Sequence, residues 1–229
     1  MFDFHMHSRV SFDGHDTGEA MAKAALAAGL KEICFTDHLD YDPLEKMGVL
    51  AFDTEVYNAE YDHLEVPGLI IRRGMEFGMT SDNTEQFKKD LQRRHFDFVL
   101  GSIHYTTDER EILALTYPDH ETADRVIREY FDNVYHLLDD DDFDVIAHIC
   151  HPLRVMDRAF DKPSFLEYTD LIYPILRRIA EKGKGLEVST KGLRYWIRAL
   201  EPEIPILKKY REFGGEFITV GTDSHEACT

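Results

Sequence analysis

The chain has 229 residues, of which 26 are basic and 44 acidic, for a formal charge of −18, with 43% hydrophobic and 12% aromatic side chains. This length suits one α/β domain, or at most two small ones, and a single domain over residues 1–229 is expected; the composition excludes a disordered chain, and no apolar run reaches the roughly 20 residues that cross a bilayer. The charge repels nucleic acid and anionic membranes, three scattered cysteines fit a reducing compartment, and Met1-Phe2-Asp3-Phe4-His5 carries no secretory pattern, so a cytoplasmic location is expected.

Short β-rich runs alternate with helical patterns along the whole chain. Phe2–His7 reads as a strand, with Phe2, Phe4 and Met6 on one face and Asp3, His5 and His7 on the other. Thr17 is placed to cap a helix over Glu19–Ala28 that Gly29 closes, and Glu32–Thr36 forms the next strand, ending at Asp37-His38. The stretch from Asp40 to Pro67 is irregular apart from a helix over Asp53–Leu64. Leu69–Met75 is a strand that stops at Glu76, Asn83–Arg94 a polar helix, and Phe98–Gly101 a strand before His104. Apolar residues from Ala123 to Leu138 recur at steps of three and four, which predicts a helix over Glu121–Asp139. Val145–Ala147 runs into His148, Phe165–Lys182 is helical, Leu186–Ser189 is a strand, Ile204–Phe213 a last helix and Phe217–Gly221 a last strand. About seven β/α units imply a parallel sheet, either open or closed into a barrel.

Strand after strand ends at a potential metal ligand: His5 and His7, with His15 shortly after, then His38, Glu76, His104, His148, and finally Asp223 and His225. In a closed parallel barrel all these ends meet at one face, where active sites of such barrels lie. An open sheet would spread them along an edge. Seven histidines and two acids without thiolate suit zinc, manganese or iron. They are too many for one ion, so two or three divalent metal ions are expected. Water shared between such ions is acidified toward neutral pH and is the expected nucleophile for in-line attack on a phosphomonoester. His63, His95, His120, His136 and His151 read as surface or packing residues.

These residues fall in spaced signatures: His5-Met6-His7-Ser8, Ser11-Phe12-Asp13-Gly14-His15, Phe35-Thr36-Asp37-His38, Arg73-Gly74-Met75-Glu76, Phe98–His104, Ile146-Ala147-His148 and Gly221-Thr222-Asp223-Ser224-His225. In this order the set resembles the polymerase and histidinol phosphatase (PHP) family of metallohydrolases. Gly101-Ser102-Ile103-His104 and Leu186–Arg194 look like its histidinol-phosphate phosphatase branch, with Ser189 where that branch has asparagine. The resemblance implies a distorted seven-stranded parallel (β/α)7 barrel, similar to a TIM barrel. It implies a first ion on His5, His7, Glu76 and Asp223, a second on Glu76, His104 and His148, and a third on His15, His38 and His225. It also implies hydrolysis of L-histidinol phosphate, a small-molecule substrate, to L-histidinol and phosphate.

Arg154 and Arg194 are the expected phosphate clamps, and Asp223 and His225 the candidates for proton delivery to the leaving group. Residues Thr106–His120 suit a loop over the pocket. Four residues follow His225, whereas members of the family continue, so a short variant or a different closure of the barrel seam is expected. The competing readings are a phosphatase for phosphotyrosine, sugar or nucleotide phosphates, and a metal-binding module without catalysis. A nuclease is disfavoured, because no basic stripe with interleaved aromatics is present.

Overall fold

Short runs rich in Val, Ile and Phe, separated by amphipathic helices, leave each strand with a parallel neighbour as its partner. The computed structural model describes residues 1–40, 53–79, 84–92, 94–108, 110–139, 142–154, 165–194 and 198–229. The irregular stretch expected at 41–52, and the positions 83 and 93 of the predicted polar helix, lie outside them. The strands are β1 (Phe2–Met6), β2 (Glu32–Phe35), β3 (His38–Asp40), β4 (Ile70–Gly78), β5 (Phe98–Ser102), β6 (Val145–Ile146), β7 (Gly185–Ser189) and β8 (Ile218–Gly221). The helices are α1 (Gly18–Ala27), α2 (Thr54–Tyr61), α3 (Thr84–Leu91), α4 (His120–Leu137), α5 (Thr169–Glu181), α6 (Lys191–Arg194) and α7 (Ile204–Glu212). Among the described residues, no helix is long and apolar enough to cross a membrane.

All strand pairs are parallel, in the order β1-β2-β4-β5-β6-β7-β8, with β3 beside β4. β3 continues β2 in unbroken register, since Phe35 lies opposite Arg73 and His38 opposite Glu76. β2 and β3 therefore fill one position, and the sheet is a nearly closed barrel of seven parallel strands, as expected. Its seam closes at the C-terminal end. Asp223 N–H donates to His5 O at 2.7 Å, His7 N–H donates to Ser224 O at 2.8 Å, and Met6 bridges to Ser224. The buried Asp3 carboxylate ties the same seam by accepting from Thr222 N at 3.1 Å and Thr222 Oγ1 at 2.5 Å.

The even alternation expected of β1 does not hold. Asp3 lies opposite Ile33 and Met6 opposite Phe35, three steps against two, so the strand carries a bulge. Met6 keeps its place with Ile33 and Phe35 beneath α1 and α2. Phe4 instead joins the interior layer of Cys34, Phe98, Leu100, Val145 and Ala147, edge-on to Phe98 at 5.4 Å. That apolar layer is the floor on which the buried His5 stands. β4 also runs past its expected end at Glu76 to Gly78, which places Glu76 in the middle of a strand.

Outside the barrel, Met75, Phe77, Val99, Ile146 and Leu186 pack against α4 and α5. The predicted stripe of α4 is buried from Ala123 to Leu137, and each large side chain of this kind contributes roughly 1.5–3 kcal/mol relative to exposure. Thr17 caps α1 as expected, accepting from Ala20 N at 3.2 Å, and Gly29 leaves that helix at φ +88°. Two substitutions grade these contributions in urea unfolding. Thr17→Ala is expected to lower stability by about 1 kcal/mol, and Phe131→Ala, in the α4 stripe, by about 3–5 kcal/mol.

Candidate metal centre

Because parallel neighbours keep side chains on matching faces, the inward residues at the strand ends converge. Glu76 is fully buried at their centre. Its Oε2 lies 3.3 Å from His5 Nε2 and 3.5 Å from His7 Nε2, and Asp223 Oδ1 lies 3.8 and 3.5 Å from the same two nitrogens. Its Oε1 lies 2.7 Å from His148 Nε2 and 3.3 Å from His104 Nε2, which are 3.4 Å apart. His38 and His225 flank the His7 ring, with centroids 4.3 and 4.1 Å from it. His5 Nε2, His7 Nε2, His225 Nε2 and Glu76 Oε2 are buried without a hydrogen-bond partner. Buried polar atoms are rarely left so, and a group of inward lone pairs is what bound cations require.

The third corner differs from expectation. His15 points away: its side chain is 67% exposed, with Nε2 3.7 Å from Glu226. Asp13 takes its place, with Oδ2 3.1 Å from His225 Nε2 and Oδ1 3.7 Å from His38 Nε2. The loop after β1 makes successive turns, Ser11 N–H to Ser8 O at 3.0 Å and Gly14 N–H to Ser11 O at 3.1 Å, which bring Asp13 inward and send His15 outward. At Gly14 a Cβ would overlap Ser8 O, so the tight turn depends on that glycine.

Most of the inward rings are oriented through their other nitrogen. His5 Nδ1 lies 2.6 Å from Glu187 Oε1, and Glu187 Oε2 accepts from His148 N at 2.5 Å. His7 Nδ1 lies 3.0 Å from Ser11 Oγ, which donates to Asp37 Oδ1 at 2.9 Å, and Tyr61 OH donates to Asp37 Oδ2. Asp40 orients His104, 3.0 Å from its Nδ1, and lies 3.2 Å from His38 Nδ1, which itself faces Glu76 Oε2 at 3.1 Å without a hydrogen-bond partner. Gly78 and Gly221 make room for these carboxylates: a Cβ at either would overlap Asp40 or Glu187. His148 Nδ1 lacks a partner, as do both nitrogens of the buried His151, whose ring lies 4.7 Å from that of His148. His151 is thus a wall of the site rather than a surface residue.

Electrostatics favour ionised acids here. Burial opposes charge on Glu76, but His5, His38 and His104 outweigh it and hold its pKa well below the usual carboxylate range. Asp223, at φ +53°, is likewise held low against burial by Lys191, His5, His7 and Arg154. Each nitrogen of the Arg154 fork is tied to a buried oxygen: Nε donates to Glu201 at 2.9 Å, Nη1 to Asp223 Oδ2 at 2.8 Å, and Nη2 to Ser189 Oγ at 3.0 Å. Arg194 sits at the rim, donating to Thr222 O at 2.7 Å.

Asp13, Asp40, Glu187 and Lys191 were missed from sequence. Asp40 had a signal, since it lies two residues past His38 and so shares its strand face. Glu187 had another, an acid between Leu186 and Val188 in a buried parallel strand. For Asp40, burial opposes ionisation, but His104 and His38 bring its pKa from 3.8 to about 2. A depressed carboxylate pKa adds stability above the unfolded value that is lost as pH falls through the folded one. In metal-stripped protein, the stability gap between wild type and Asp40→Asn is expected to shrink as pH drops from about 4 to about 2. Urea midpoints across that range check it.

Comparison with known proteins places this geometry. The PHP domain model matches residues 3–191. The probable histidinol-phosphatase of Clostridium acetobutylicum is 30% identical, over 98% of this chain and 86% of its own length. The histidinol-phosphatase of Lactococcus lactis subsp. lactis is 27% identical, over 98% and 84%. A crystal structure of histidinol phosphate phosphatase from that organism, complexed with zinc, L-histidinol and phosphate, aligns with TM-score 0.82 and 26% identity over 99% of this chain and 86% of that one. The putative histidinol phosphatase of Listeria monocytogenes shares the fold, with TM-score 0.81 and 17% identity over 100% and 96%. With its strand-end ligand set and a family match over most of its length, the chain belongs to the PHP domain family.

Proposed function

We propose that this chain is a metal-dependent phosphomonoesterase that hydrolyses L-histidinol phosphate to L-histidinol and phosphate. The observation that carries the reading is the convergence of unpartnered ring nitrogens on the two oxygens of buried Glu76. The names of the relatives, and the ligands of the Lactococcus structure, supply the substrate. His5, His7, Glu76 and Asp223 would hold a first ion, Glu76, His104 and His148 a second, and Asp13, His38 and His225 a third. The nitrogen and carboxylate donors fit zinc, manganese or iron. Bound divalent ions supply acidified water and neutralise charge on the phosphoryl oxygens.

The chain's own residues set the rest. Glu187, Ser11 and Asp40 keep protons on the outer nitrogens of His5, His7 and His104, leaving each Nε2 lone pair free. Asp223, held ionised by two cations, serves as ligand and proton acceptor rather than as the acid. His225, with a side chain 16% exposed, remains the candidate for proton delivery to the leaving alkoxide. Arg154 acts through Asp223, whose carboxylate it positions. Residues 1–229 work as one domain, because the first ion's ligands come from both ends of the chain.

Turnover of L-histidinol phosphate, phosphotyrosine and p-nitrophenyl phosphate, with metal content measured on the same sample, tests this. The expected result is the highest kcat/KM on L-histidinol phosphate, abolished together with metal binding by Glu76→Ala. A preference for phosphotyrosine would overturn the substrate, and full turnover in Glu76→Ala the centre. Asp13→Ala is expected to lose bound metal while His15→Ala keeps it; the reverse would restore the original third corner.

A further inference from the structure

Two cations meet on one oxygen of Asp223. Arg154 Nη1 and Lys191 Nζ both lie 2.8 Å from Oδ2, while Oδ1 faces His5 and His7. They are not equivalent. The Arg154 side chain is 3% exposed, and Nε, Nη1 and Nη2 each donate to a buried oxygen. These bonds use three of its five N–H groups and fix the fork in place, so Arg154 cannot swing toward a ligand without breaking a buried pair with Glu201 or Asp223, a strongly unfavourable step. Lys191 is 16% exposed, and its ammonium carries three donors on a flexible stem. Asp223 is the one acid recorded beside it among the described residues.

The backbone holds Lys191 at this place. Its N–H donates to Ser189 Oγ at 3.3 Å, at the end of β7. Gly192 follows, buried, and a Cβ there would come within 2.6 Å of Ala199 O, so α6 is pressed onto the segment leading to Glu201. Arg194, at the other end of α6, bonds the carbonyl of Thr222. Lys191 therefore overlooks the metal corner that Asp223 completes, on a chain whose net charge of −18 disfavours a phosphate dianion.

We infer that Lys191 is the side chain that grips the phosphate of the substrate, the role the sequence suggested for Arg154. The inference rests on the phosphatase reading. Its ammonium turns from Asp223 Oδ2 to a phosphoryl oxygen, and Arg154 stays behind to hold the carboxylate. Lys191 thus binds the phosphate, whereas Arg154 is a positioning residue.

Inorganic phosphate is the probe, titrated calorimetrically into the zinc-loaded protein and used as a product inhibitor. Lys191→Met is expected to weaken phosphate by about 10- to 100-fold, the range for a lost charge-assisted hydrogen bond. Affinity for L-histidinol and zinc content are expected to stay at wild-type values, and Lys191→Arg to recover most of the loss. Unchanged phosphate affinity in Lys191→Met overturns the inference, as does a wild type that binds no phosphate. So does a parallel loss of zinc, which would show Lys191 acting only through Asp223. Phosphate binding that depends on Lys191 in a protein inert toward L-histidinol phosphate would sink the substrate reading and leave this one standing.

Discussion

A carboxylate sealed from water must be offered positive charge or hydrogen-bond donors by its surroundings, and Glu76 shows how fully that demand organises this protein. Five imidazoles from four strand positions reach its two oxygens: His5, His7 and His38 face Oε2, and His104 and His148 face Oε1. Protons on these rings would satisfy the acid but repel one another across a few ångströms, whereas cations between the rings and the acid satisfy every lone pair at once. The surroundings are arranged for the second solution. Glu187, Ser11 and Asp40 sit on the far side of the rings, and Asp223 closes the ring of donors while its outer oxygen is held by Arg154 and Lys191.

The frame delivers these groups through small departures from regularity. The bulge in β1 lets Phe4 fill the barrel floor and His5 stand above it, so apolar and polar layers change within two residues. The break between β2 and β3 leaves the register intact while Asp37 turns to the loop that carries Ser11. Tyr130 in the α4 core donates to His148 O at 3.2 Å, which joins the outer helix layer to the site. None of these contacts is large in energy; together they leave the rings little freedom to turn.

What could be read from sequence follows from what is periodic. The helices, their caps at Thr17 and Gly29 and the parallel strand order rest on spacing and local chemistry, and those expectations agree with the fold. The strand-end ligands were legible because a barrel gathers strand ends, and eight of the nine converge. His15 lies outside this convergence because a turn has no fixed period: two residues along the loop separate an inward from an outward side chain, and only the hydrogen bonds of residues 8–16 decide which. The bulge escaped for a similar reason, since an extra residue in β1 shows only against its partner strand. Arg154 looked like a clamp because an arginine's charge is visible in sequence, while the acids that occupy its fork lie 47 and 69 residues away.

The seam has a consequence for how the enzyme comes into being. His5 belongs to β1 and Asp223 follows β8, yet they share one corner of the site, and the closure of β1 on β8 rests on contacts between the same two regions. Without β8 and the turn after it, Glu76, His104 and His148 are in place, but neither a closed wall nor the carboxylate that completes the deepest corner is. Cation binding at that corner is therefore coupled to the docking of β8 against β1, so that the same contacts that shut the barrel also complete the donor set.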